Sequence, residues 1–175
     1  MMQSDTDILK SMTLGELWQL FPITLVPHNP KWKEWAAEEI QSLNALLVTF
    51  TSTINHIGST AVPDIVAKPI VDILVEISTD CDWSEVKEIL ERAGYICMSE
   101  SNGRMSFNKG YTPKGYADRV FHVHIQAIGD NDEIRLRDYL IENPSVAKEY
   151  EALKLSLLPN IETNATATPK QRLNS

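Results

Sequence analysis

The sequence HIGSTAVPDIVAKPIVDILVEI, residues 56–77, decides the fold of this chain. The β-branched residues of 51–57 end in Gly58-Ser59-Thr60, which predicts a strand that runs into a tight turn. A second strand is expected over 69–77, because its apolar residues are nearly continuous, as in a central strand covered on both faces. Asp72 interrupts this run. The stretch therefore predicts two strands joined through a glycine-containing turn, with a carboxylate on the second strand.

The turn itself has the features of a phosphate-binding site. A glycine at the end of a strand lets backbone N–H groups approach an anion, and the Ser59 hydroxyl adds a donor. Lys68 lies on the connection between the turn and the strand that bears Asp72, so it can supply a positive charge to the same place. Gly-Ser-Thr is also common in ordinary turns, and on these residues alone both interpretations stay open.

The remaining chain alternates between helical and strand patterns, which predicts an α+β fold. We expect helices over 14–20, 32–47, 82–93, 133–141 and 144–157, and strands over 23–26, 95–98, 105–108 and 120–128. After Leu158 apolar periodicity nearly stops. Residues 1–158 are thus predicted to form one domain, and 159–175 a disordered tail.

Composition narrows the class of partner. The 175 residues are 43% hydrophobic and 23% charged, as in ordinary globular proteins, with a net charge of −8. Such a charge argues against nucleic acid as a partner, because binding phosphate backbones requires clustered Lys and Arg. A small anionic ligand in a local pocket remains compatible with it.

Cys81 and Cys97 are the only cysteines, too few for a disulfide framework, and we expect both to be reduced thiols. The first ten residues lack the basic-then-apolar order of a signal peptide, and no apolar run approaches the ~20 residues that span a bilayer. We therefore expect a cytoplasmic protein without a membrane partner.

Residues 56–77 closely resemble the signature of the GrpB family, which belongs to the nucleotidyltransferase superfamily. The resemblance continues at 104–110, 122–124, 136–140 and 149–154, in the expected order, and covers roughly residues 23–157. It implies a nucleotidyltransferase-like mixed or antiparallel β-sheet flanked by helices. It also implies that the Gly58-Ser59-Thr60 turn and Lys68 hold the phosphates of a nucleotide, toward which the next strand projects Asp72 as the catalytic acid.

The carboxylates depart from the superfamily pattern. Active members usually place two acids one residue apart on this strand to hold metal ions together, but the second place here is Leu74. Glu76 shares the face of Asp72 but lies ~13 Å away at the usual strand rise, so it cannot replace the missing acid.

Two histidines offer a different metal site. His122 and His124 alternate on the neighbouring strand, where their side chains should lie ~7 Å apart on one face. With Asp72 they form a plausible site for one divalent ion, and imidazole favours Zn, Ni or Fe over Mg. In the alternative, the histidines donate hydrogen bonds to Asp72 or to a ligand's phosphate without metal.

The other charged residues carry two interpretations each. By resemblance, Arg104 and Lys109 face the same pocket and bind anionic groups, whereas the alternative is surface charge without a role. His56 is expected to be a hydrogen-bonded structural residue rather than a base. Arg137 and the charges of 148–154 are expected on solvated helix faces.

Three functional hypotheses follow. The first is an enzyme that transfers a nucleotidyl or other phosphoryl-containing group. The second is a non-catalytic nucleotide- or coenzyme-binding module with an incomplete metal-carboxylate set, which the acid count favours. The third is an interaction protein with a vestigial pocket. A related domain is fused to dephospho-coenzyme A kinase in some family members, which suggests an adenine nucleotide or a coenzyme A precursor as ligand.

Overall fold

Six α-helices and five strands make up the described part of the computed structural model, which gives the backbone of residues 2–164 and the side chains up to residue 158. The helices are α1 (Asp5–Ser11), α2 (Leu14–Leu20), α3 (Lys31–Leu46), α4 (Trp83–Arg92), α5 (Asp132–Glu142) and α6 (Pro144–Asn164). The strands are β1 (Ser52–Ile57), β2 (Val71–Ile77), β3 (Ile96–Ser101), β4 (Arg104–Thr112) and β5 (Gly115–Ala127).

The strands form one mixed sheet in the order β1-β2-β5-β4-β3. β2 and β5 pair in parallel at its centre, and every other neighbouring pair is antiparallel. A parallel pair requires a long crossover, and here α4 and the β3–β4 hairpin supply it between β2 and β5. The predicted α+β fold with a mixed sheet flanked by helices is confirmed.

The two faces of the sheet differ in character. One face carries the apolar side chains that alternate along β2, β4 and β5, and these pack with residues of α3 and α4 into the main core. The opposite face carries Asp72, His122 and His124, which are roughly one quarter to one third exposed. Polar residues of the central strands are therefore gathered on one side of the sheet.

The first part of the chain differs from expectation in two places. Residues 23–26 form no edge strand but a single bridge between Val26 and Ala67, and Pro22 and Pro27 beside them lack the N–H needed to extend a ladder. α1, which the polar start of the chain did not suggest, begins after Ser4, whose hydroxyl accepts from the backbone of Asp7.

The predicted tail begins inside α6. This helix continues to Asn164, past the expected end at residue 157, and 165–175 lie outside the described residues. Within the described chain, none of the helices has the length and apolar character needed to cross a membrane.

Candidate functional site

The turn after β1 brings backbone into direct contact with Asp72. Gly58 has φ 76° and ψ −173°, a region open almost only to glycine, and Ser59–Ala61 follow as one turn of 3₁₀ helix. A Cβ added at Gly58 would lie 2.7 Å from Oδ2 of Asp72. Only a residue without a side chain therefore allows this turn to lie against the carboxylate.

Asp72 also meets both histidines of β5. The parallel register pairs Asp72 with His122 and Leu74 with His124. Nε2 of His124 lies 3.3 Å from Oδ1 of Asp72 and can donate to it, whereas Nδ1 of His122 is 3.7 Å from the same oxygen. The two histidines therefore flank a single carboxylate oxygen, as the spacing on alternate residues predicted.

Tyr111 fixes the orientation of His122. Its hydroxyl lies 2.6 Å from Nε2 of His122, and burial raises the pKa of that hydroxyl far above its usual range. Burial also lowers the pKa of His122. A neutral phenol either donates to Nε2 or accepts from it, and this direction decides whether Nε2 or Nδ1, the nitrogen that faces Asp72, carries the ring hydrogen.

The acids of the strand do not form the pair that a two-metal centre requires. Leu74 is fully buried at the second place. Glu76 is also buried, and its carboxylate accepts hydrogen bonds from Thr53, from the N–H of Gly129 and from the Asn131 amide. Glu76 holds the β5–α5 turn in place, so the residues present do not fit a carboxylate-bound magnesium pair.

The histidine-based metal site has a less favourable geometry than its spacing suggested. Among the described residues, no group of three or more His, Cys, Asp or Glu side chains is arranged to hold a metal ion. One nitrogen of His122 is already bonded to Tyr111, and His124 contacts Asp72 directly. These contacts agree with the hydrogen-bonding alternative.

A lysine from α6 reaches the turn, and sequence reasoning missed it. Nζ of Lys154 lies 2.5 Å from Oγ of Ser59 and 3.3 Å from the carbonyl oxygen of Val66. Burial, followed by the nearby charge of Lys68, lowers the pKa of Lys154. The expectation that the 148–154 charges lie on a solvated face is wrong for Lys154.

Helical spacing contained a signal for this contact. Ala147 and Tyr150 pack against Leu140 and residues of the loop after the turn, and Lys154 follows Ala147 by two helical turns. Lys154 therefore continues the inward stripe of α6 rather than its solvated face.

His56, which is partly buried, and Thr60, which is buried, contact each other within the turn. Nε2 of His56 is 2.8 Å from the Thr60 hydroxyl, and Thr60 is 3% exposed. Burial lowers the pKa of His56 to about 4. Arg137, expected on a solvated face, instead donates to the carbonyl oxygen of His56 at 2.8 Å. These contacts agree with a structural role for His56.

Arg104 and Lys109 lie apart. The guanidinium of Arg104, at the rim of the site, donates to both oxygens of Asp130. Lys109 lies on the opposite face of the sheet, where Nζ contacts the carboxylate of Glu39 at 2.9 and 3.1 Å. The structure thus brings Arg104 to the site but not Lys109, because residues five apart in a strand face opposite sides.

A cleft of about 1160 Å³ opens over the polar face of the sheet. Beside β1 and β2 it is bounded by the turn and α6, and beside β4 by α1, which contacts that strand, and α2. The predicted site residues that line it are Gly58, Ser59, Thr60, Lys68, Asp72, Arg104, His122 and His124.

Comparison with known proteins agrees with this architecture. A family model described as GrpB protein matches residues 22–171. The chain belongs to the GrpB family. The glutamate-rich protein GrpB of Alkalihalophilus pseudofirmus is 36% identical over 158 residues, which cover 85% of this chain and 90% of that protein. The family membership predicted from the sequence is confirmed.

A solved GrpB structure has the same fold. The crystal structure of conserved protein GrpB from Enterococcus faecalis matches with a TM-score of 0.64 and 31% identity, over 86% of this chain and 97% of that one.

Other GrpB relatives are longer. UPF0157 protein YqkA of Bacillus subtilis is 34% identical over 152 residues, which cover 82% of this chain but 43% of YqkA. A dephospho-CoA kinase of Mycobacterium bovis is 36% identical over 158 residues, or 76% of this chain and 39% of the kinase. The chain thus spans less than half the length of these two relatives.

Proposed function

We propose that the cleft binds a small phosphate-bearing molecule, such as a nucleotide or a coenzyme A precursor, with its phosphate at the turn. The observation that carries this proposal is the contact of Lys154 with Ser59 in the turn, with Lys68 lining the same cleft and close enough for its charge to lower the pKa of Lys154. Hydroxyl, ammonium and backbone donors at one point are the groups that phosphate requires.

The electrostatics favour an anion at this place. Lys154 is half-buried beside Lys68, and neither ammonium is ion-paired with a carboxylate within the described part of the chain. The charges of Asp72 and Glu151 raise the pKa of Lys154, but burial and the charge of Lys68 outweigh them and lower it, so positive charge is still disfavoured in the empty site. A bound phosphate would remove this repulsion and gain charge-assisted hydrogen bonds.

One relative supports the ligand class, and the cysteines support the expected cellular location. The dephospho-CoA kinase relative carries its name for the whole protein, of which this chain matches 39%, so it supports a coenzyme A precursor only as a candidate. Cys81 and Cys97 are free thiols, which suits the reducing cytoplasm in which we expect the protein to act.

Group transfer is the second candidate, and the contact between Asp72 and His124 favours it. A carboxylate 3.3 Å from an imidazole, both partly exposed to the cleft, is a pair able to accept a proton from an acceptor hydroxyl. If transfer occurs, Asp72→Asn should abolish product formation and retain ligand affinity. Elemental analysis of protein purified without chelator, compared with His122→Ala, tests whether a transition metal takes part.

A thermal-shift screen tests the binding proposal. Nucleotides, coenzyme A precursors and inorganic polyphosphates are added with and without divalent metals, and a ligand at 100 times its Kd should stabilise the protein by about 2.7 kcal/mol. We expect a shift that Ser59→Ala reduces and that the exposed control Ser84→Ala retains. No shift with any member of the panel would argue for the vestigial-pocket hypothesis.

A further inference from the structure

The wall of the cleft farthest from the turn comes from outside the region that the family model describes. The match begins at residue 22, whereas α1 and α2 occupy 5–11 and 14–20. Both helices nevertheless line the cleft, through Leu9, Leu17 and Trp18 among others. The cleft is thus completed by a segment that the family model does not include.

This wall continues into a cluster of aromatic rings. The ring centroid of Phe21 lies 4.8 Å from that of Tyr111 and 5.0 Å from that of Tyr116. Tyr111 stacks on His122 at 5.8 Å, and His122 lies beside Asp72. A chain of contacts therefore joins the carboxylate at the turn to an aromatic surface at the other side of one cleft.

We infer that α1 and α2 form the part of the site that selects the organic group of the ligand, and that this group is the planar ring of a nucleoside. This inference rests on the proposed function, because it takes the phosphate to be at Ser59. The phosphate end offers charge and hydrogen-bond donors, while the wall offers apolar and aromatic side chains. A phosphate ester whose other end is a flat ring matches both surfaces of the cleft at once.

The ring is favoured over a flexible chain by the kind of side chain present. Aromatic residues bind bases by stacking without regard to sequence, because every base has a π-face. Trp18 lines the cleft together with Phe21, Tyr111 and Tyr116, whereas the other tryptophans, Trp32, Trp35 and Trp83, do not line it. A change in tryptophan fluorescence on binding is therefore expected to come from Trp18.

The experiment compares ATP with inorganic triphosphate on the full chain, by calorimetry and tryptophan fluorescence. We expect Trp18→Ala to weaken ATP binding about tenfold, since base stacking contributes on that scale, and to leave triphosphate binding unchanged. Trp18→Phe keeps a ring and should restore most of the affinity. Gln19→Ala, on the exposed side of the same helix, is the matched control and should bind both like the wild type.

Four results would overturn the inference. If wild-type protein binds ATP no more tightly than triphosphate, the wall contributes nothing, although the phosphate site stands. If Trp18→Ala keeps full ATP affinity, or loses both probes equally, the ring does not lie against α2. If wild-type protein binds neither probe, the proposed function fails and the inference fails with it.

Discussion

Gly58 combines a backbone conformation that favours glycine with a close contact to Asp72 in the candidate site. Its φ of 76° and its contact with Asp72 both exclude a side chain. Gly58→Ala should lower the free energy of unfolding by about 1–3 kcal/mol through strain alone, and by more through the clash with the carboxylate. Urea denaturation measures this loss.

Gly103 supplies the control for that substitution. Its φ is 77°, but nothing lies within 4 Å of the place where its Cβ would be. Gly103→Ala should therefore report the cost of a positive φ without the contact to Asp72. Equal losses in the two variants would mean that the turn can move away from Asp72 freely.

His56 gives the site a pH dependence with a definite sign. Burial lowers its pKa from 6.5 to about 4 in the folded chain. Between these values the unfolded chain binds a proton at His56 that the folded chain does not. The stability that neutral His56 contributes is therefore complete above pH 6.5 and is lost as the pH falls toward 4. His56→Gln should lose less stability than the wild type between pH 7 and pH 5. If the urea midpoints of wild type and His56→Gln differ by the same amount at pH 7 and at pH 5, the burial of His56 is contradicted.

At the scale of elements, β4 distributes its charges between two faces of the sheet. Lys109 binds the buried carboxylate of Glu39, which also accepts from the hydroxyl of Tyr95, and so ties β4 to α3. Lys109→Met leaves this acid without its cation and should lower the free energy of unfolding by about 1–3 kcal/mol. Ligand affinity should stay at the wild-type value. If Lys109→Met lowers ligand affinity without lowering the free energy of unfolding, Lys109 takes part in ligand binding.

α6 holds the loop after the turn through three side chains at successive turns. Lys148 donates to the carbonyl oxygen of Asp64, Glu151 accepts from the N–H of Val66 at 2.6 Å, and Lys154 contacts Ser59. The loop that carries Lys68 is therefore positioned by α6 as well as by β2.

Removing the central contact tests this coupling. Glu151→Ala leaves the half-buried N–H of Val66 without its acceptor, which should lower the free energy of unfolding by about 1–3 kcal/mol and speed amide exchange at Val66. Glu149→Ala, an exposed neighbour, should change stability by less than about 0.5 kcal/mol. Equal effects of the two substitutions would show that α6 does not hold the loop.

At the scale of the whole molecule, local pattern predicted most of the fold. The continuous apolar run of β2 predicted a central strand, because this signal arises within a few residues. The 23–26 strand was wrong because strand formation also requires a partner with free ladder positions. Pro22 and Pro27, which flank this run, have no backbone N–H to donate to such a partner.

The candidate site likewise contains some residues that local sequence patterns predict and others that they do not. The side chains of His122 and His124 share one face because residues alternate along a strand, whereas Gly58 and Ser59 were predicted from the chemistry of the turn after β1. Lys154 follows Ser59 by 95 residues and reaches it only through the packing of α6, which no local pattern contains. Lys109 lies on the face opposite Arg104 because β4 extends over Arg104–Thr112, beyond the 105–108 strand that the sequence predicts.

Lys68 and Lys154 lie near the turn although the chain has a net charge of −8. Their position is the basis of the central claim that the cleft binds a phosphate-bearing ligand. Titration calorimetry of ATP into wild type, Lys154→Met and Lys33→Met, an exposed lysine of α3 that does not line the cleft, tests it most directly. We predict one site per chain in the wild type, affinity reduced about tenfold or more in Lys154→Met, and wild-type affinity in Lys33→Met. Equal affinity in all three proteins would place the ligand elsewhere and contradict the account.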